Sequence, residues 1–141
     1  MKKLLFVSLL VLLTAVACSG GGELVVTDAW GRPSPTAGAN SAFYMTIENG
    51  TGQDDTLASV SAAGCGMSHL HESVMNDGVM SMQPVTGIPI PAGETVELKV
   101  GGLHVMCMNP SATFAVGDEV SLTLSFVQAG EMQVTAVIRE N

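Results

Sequence analysis

From Leu24 to Ile138 the chain runs in short apolar or alternating stretches, each closed by Gly, Pro, Asn or Asp, with almost no stretch long enough for an amphipathic helix. Alternation is clearest where Val120, Leu122, Leu124 and Phe126 are separated by Ser121, Thr123 and Ser125, the pattern of a strand with one buried face. The runs predict strands over 24–30, 42–48, 56–61, 67–72, 79–84, 95–100, 103–108, 120–127 and 132–138. Punctuation lies between them, at Gly31-Arg32-Pro33-Ser34-Pro35, Asn49-Gly50, Asn76-Asp77-Gly78, Pro91-Ala92-Gly93, Gly101-Gly102 and Ala129-Gly130. Asn76-Asp77-Gly78 reads as a tight hairpin turn, because these residues tolerate positive backbone angles. Short, evenly spaced strands predict an all-β fold, an antiparallel sandwich or Greek-key barrel. The segment 24–141, about 118 residues, suffices for a single domain with one core.

The first residues follow a different rule. Lys2 and Lys3 precede an apolar stretch from Leu4 to Ala17, which is short for a membrane span of roughly 20 residues and has the layout of an export signal. Ala15-Val16-Ala17-Cys18 resembles a bacterial lipoprotein box, apart from Ala15 where Leu is usual. The expected organisation is a signal peptide at 1–17, a lipidated Cys18 with a glycine-rich tether at 18–23, and the folded domain at 24–141. The alternative is ordinary cleavage near Ala17, with Cys18 left as a free thiol. Either way the domain is expected outside the cytoplasm, on the periplasmic or cell-envelope side, and the lipoprotein reading anchors it to a membrane.

Charge narrows the partners. The whole chain carries −8, and loss of Lys2 and Lys3 leaves 3 − 13 = −10. Only Arg32, Lys99 and Arg139 then remain positive, which argues against nucleic acid, since phosphate neutralisation needs clustered cations.

The chemistry concentrates in one stretch. All three histidines (His69, His71, His104) and six methionines (Met67, Met75, Met80, Met82, Met106, Met108) lie between positions 67 and 108. A core built for packing would spread Leu and Phe over all strands instead. Imidazole nitrogen with thioether sulfur is the donor set that soft copper(I) prefers. His104 and Met106 are two apart and share a strand face, while His71 and Met82 fall on the two arms of the expected hairpin. These four are the candidate ligands for one copper(I).

The spacing of those four, with His71-Glu72, Asp77-Gly78-Val79-Met80-Ser81-Met82, Pro91-Ala92-Gly93 and Gly101-Gly102-Leu103-His104-Val105-Met106-Cys107-Met108, resembles the periplasmic copper chaperone family often called PCuAC. The resemblance extends from Ala29-Trp30 through Phe43-Tyr44-Met45-Thr46-Ile47-Glu48-Asn49 to the final strands. It implies a cupredoxin-like β-sandwich that binds one copper(I) near its surface through His71, Met82, His104 and Met106. It also implies delivery to the copper-bearing subunit of cytochrome c oxidase or to an assembly factor. Ser73 departs from the family, many members of which have Met at that place. Met75 or Met80 could supply a sulfur instead, while Met67, His69 and Met108 are open between packing and metal contact.

With Cys18 lipidated, Cys65 and Cys107 remain as a pair in an oxidising compartment. A disulfide or a buried thiol is favoured over metal ligation, because Cys107 alternates with Met106 and should face away from His104. That parity also opposes a blue-copper redox centre, which needs a Cys thiolate beside two histidines. No arrangement of nucleophile, base and orienting acid stands out, so the chain is read as a non-enzymatic carrier, expected to act as a monomer. The competing reading is copper sequestration, with the further methionines holding more ions.

Overall fold

The computed structural model describes residues 21–141, so the expected signal segment and Cys18 lie outside the described residues. Ten strands follow in chain order: β1 (Leu24–Gly31), β2 (Ser41–Asn49), β3 (Asp55–Ala62), β4 (Met67–Asn76), β5 (Val79–Pro84), β6 (Ile88–Ile90), β7 (Thr95–Leu98), β8 (Leu103–Met108), β9 (Glu119–Phe126) and β10 (Gly130–Ile138). They pair in the order β5-β4-β8-β2-β1-β10-β9-β3-β6, with β7 also on β2. Inward residues from both ends of that order, Leu70 and Val105 as well as Leu57 and Leu122, join one core. The sheet therefore closes over itself as a sandwich, the cupredoxin-like all-β fold expected from the sequence.

Three features depart from the simple pattern. β4 runs on to Asn76, because the turn consists of Asp77 and Gly78 alone, both at positive φ (49° and 80°), as a two-residue hairpin turn requires. β6 is three residues long and centred on Pro89, which reads as punctuation in the sequence. β1 and β10 pair in parallel, whereas the other pairings are antiparallel. Parallel neighbours need a long connection, and here almost the whole domain supplies it.

β2 is covered on both faces. Phe43, Met45 and Ile47 enter the main core, while Ala42 and Tyr44 join Trp30 in a small second cluster on the opposite face. A register shift between Thr27 and Trp30, with Asp28 at φ 49°, sets the pairing of Trp30 with Tyr44. Gly31 follows because a Cβ there would meet the Phe43 ring at 2.6 Å.

Asp55 ties the far side of the sandwich together. Its Oδ1 accepts from the N–H groups of Thr56 (2.7 Å) and Gln128 (2.8 Å), and Oδ2 accepts from Ala129 (2.8 Å). Burial pushes this carboxyl up, but backbone donors from Gln128, Ala129, Thr56 and Val127 outweigh it and hold the group below its ordinary 3.8. Asp55→Ala should cost about 2–3 kcal/mol at neutral pH, read from the urea midpoint. A depressed native value means stability that is present above the unfolded carboxylate value and lost as pH falls through the native one. The gap between wild type and variant should therefore narrow below about pH 4.

Candidate metal centre

Register brings the predicted residues together. β4 lies between β5 and β8, pairing His71 with His104, His69 with Met106, Met67 with Met108, Ser73 with Met82 and Met75 with Met80. Residues opposite each other in antiparallel strands point to the same face, and so do residues two apart. All three histidines and the six clustered methionines thus share one face, across three adjacent strands. The alternate positions turn inward: Leu70, Val105 and Cys107 are buried in the core.

His71 and His104 stand at the centre of this face, with ring centroids 5.9 Å apart and planes at 86°. Met106 lies one step along β8, and Met82 lies beside Ser73, one step towards the hairpin turn. Met82, His104 and Met106, with Met80, Tyr44 and Ser73, line an open cleft of about 730 Å³. His104 forms its floor at 3% exposure, whereas Met82 is 55% exposed at the rim.

The turn from Lys99 to Gly102 orients His104. Gly102 N–H donates to the Lys99 carbonyl (3.0 Å), and His104 Nδ1 lies 2.9 Å from the Gly102 carbonyl oxygen. A carbonyl can only accept, so Nδ1 carries the proton and Nε2 carries the lone pair. That Nε2 and His71 Nδ1 are both buried and find no hydrogen-bond partner among the described residues. Buried nitrogens left this way need an explanation, and a cation between the rings supplies one. No group of three His, Cys, Asp or Glu side chains able to hold a metal occurs among the described residues, and the further soft donors beside the two imidazoles on this face are thioethers.

Electrostatics favour the neutral donors. Burial first, then charge on His104 and His69, holds His71 below the ordinary imidazole value of 6.5. Behind His104 stands Tyr44, 6.3 Å away between centroids, stacked in turn on Trp30 at 4.6 Å. Burial raises the Tyr44 phenol above 10.0, against the opposing charge of Arg32, so it remains a neutral wall. Arg139 covers the Trp30 ring at 4.7 Å. Neither this aromatic backing nor the Gly102 carbonyl was assigned a role from sequence; Gly101-Gly102 next to a histidine was the available signal.

Cys65 and Cys107 form a disulfide, with alpha carbons 5.5 Å apart, on the core side of β8. It ties the segment entering β4 to the strand that carries His104 and Met106.

The architecture is that of PCuAC domains. The apo PCuAC domain from PmoF1 superposes with a TM-score of 0.70 at 27% identity, covering 86% of this chain and 97% of that one. The solution structure of CuI-DR1885 from Deinococcus radiodurans gives a TM-score of 0.61 at 27% identity, covering 87% and 84%. The family model described as "Putative lipoprotein LpqE-like" matches residues 24–138, so the chain belongs to that family, the PCuAC family. A relative from Leifsonia xyli subsp. xyli, "Putative lipoprotein Lxx21020", is 31% identical over 82% of this chain and 69% of its own length.

Proposed function

We propose that this protein is a copper(I) carrier that holds one ion tightly between His71, Met82, His104 and Met106 and passes it to an acceptor by ligand exchange. The observation that carries the reading is the pair of unpartnered buried nitrogens, His71 Nδ1 and His104 Nε2, flanked on their own sheet face by two thioethers. Copper(I) fits that neutral, soft, mixed set better than harder divalent ions do. The copper(I) form of the similar DR1885 supports the same cargo and oxidation state. An exposed Met82 at the rim suits transfer, because an incoming ligand can displace it before the buried His104 lets go. The acceptor in this reading is the copper-bearing subunit of cytochrome c oxidase or its assembly factor. The lipoprotein names of the family and of the Leifsonia relative support an envelope location, with Cys18 as the lipid-bearing residue.

The test is competition for copper(I) between the chain and a chromogenic chelator at graded pH. One tightly held ion per chain is expected, whereas a sequestering buffer would hold several with similar affinity. Imidazole must be neutral to bind, and the native His71 value is depressed. Its affinity contribution is therefore full above about 6.5 and persists somewhat below it, then declines as pH falls through the lowered native value. An affinity that rises on acidification would exclude histidine ligation.

A further inference from the structure

The carrier site leaves five soft donors on the same face unused, and three of them, Met67, His69 and Met108, lie together at one corner. Met67 on β4 is directly opposite Met108 on β8, and His69 is the next residue along that face of β4. Opposed residues place their Cβ atoms about 5 Å apart, and successive same-face positions follow at roughly 7 Å, so the three side chains can converge. None of the three belongs to the buried core, and Met108 is half-buried. Met67 is 50% exposed and His69 is exposed, while the core beneath is already filled by Leu70, Val105 and Cys107.

The backbone at this corner is held by three features. The Cys65–Cys107 disulfide brackets it on the core side. Gly66 N–H donates to the Met108 carbonyl at 3.0 Å, fixing the start of β4 against the end of β8. A Cβ at position 66 would come within 2.8 Å of the Asn109 carbonyl oxygen, so the close approach depends on glycine. Donors presented from a backbone fixed in advance lose less freedom on binding.

We propose that Met67, His69 and Met108 form a second copper(I) site, weaker than the first and bordering it at Met106. Two thioethers and one imidazole make a three-coordinate set, with no carboxylate to favour a harder ion. Three donors at an exposed corner hold the ion less tightly than four around a buried His104. The stronger first site takes most of the first equivalent, and the second site forms independently of it.

The probe is copper(I) itself, added to the full chain under reductant while methionine ε-methyl resonances are followed by NMR. The first equivalent should move the Met82 and Met106 methyls, and the second should move those of Met67 and Met108. The Met67→Leu/Met108→Leu variant, conservative in volume, should lose the second equivalent and keep the first at unchanged affinity. A second equivalent that leaves the Met67 and Met108 methyls unmoved would overturn the proposal, as would a variant that still takes up two ions. Failure of the carrier site is read separately, at Met82 and Met106.

Discussion

Replacing His104 by alanine is expected to weaken copper(I) binding by at least about 100-fold, on the order of 3 kcal/mol. His104 is the most buried of the four proposed ligands, and the Gly102 carbonyl fixes both its tautomer and its ring direction. Its loss removes a nitrogen donor that no neighbour can replace, since His69 lies a full step away on another strand. Met82→Leu should cost less, about tenfold, because an exposed thioether is less firmly placed and Met80 lines the same cleft. Chelator competition gives both numbers, and near-ultraviolet circular dichroism of the Trp30–Tyr44 pair checks that the variants are folded. Equal affinities for wild type and the His104 variant would remove this residue from the site.

Removing the Cys65–Cys107 disulfide, as the Cys65→Ala/Cys107→Ala variant, is expected to destabilise the domain by about 4 kcal/mol. That follows from the chain entropy of a loop closed over a sequence separation of 42 residues. For a domain of this size the loss corresponds to a fall in melting temperature of roughly 10–20 °C. A second outcome separates bracing from ligation. Cys107 faces the core while His104 and Met106 face the cleft, so reducing the bond should expose no thiolate to copper. Reduced chain that remains folded should bind copper(I) no more tightly than oxidised chain. A large gain on reduction would place a cysteine sulfur on the metal.

Much of this architecture was legible in the residues, and the illegible parts share a cause. Alternation in Val120–Phe126 and punctuation at Asp77-Gly78 and Gly101-Gly102 are local signals, and the strands they delimit lie where expected. The shared face of His104 and Met106, and the inward turn of Cys107, follow from parity within one strand. Period-two alternation says nothing about which strands are neighbours, so the parallel pairing of β1 with β10 left no trace. The same blindness left Met67, Met75, Met80 and Met108 without a common face. Parity aligns Met67 with His71, Met80 with Met82 and Met108 with Met106 within their own strands, and the register of β4 against β5 and β8 puts these sets on one face. Ile88–Ile90 escaped notice because Pro89 reads as a turn, although its neighbours are buried on either side. The fixed tautomer of His104 depends on a backbone carbonyl two residues away, an arrangement that composition does not reveal.

Two imidazoles and two thioethers on one sheet face are expected to share a single copper(I) ion. X-ray absorption at the copper edge, on the chain loaded with one equivalent under reductant, tests it most directly. The expected spectrum is that of copper(I) in a mixed shell of nitrogen and sulfur scatterers, with the multiple scattering that imidazole rings produce. A shell of nitrogen and oxygen alone, or of sulfur without imidazole, would contradict it.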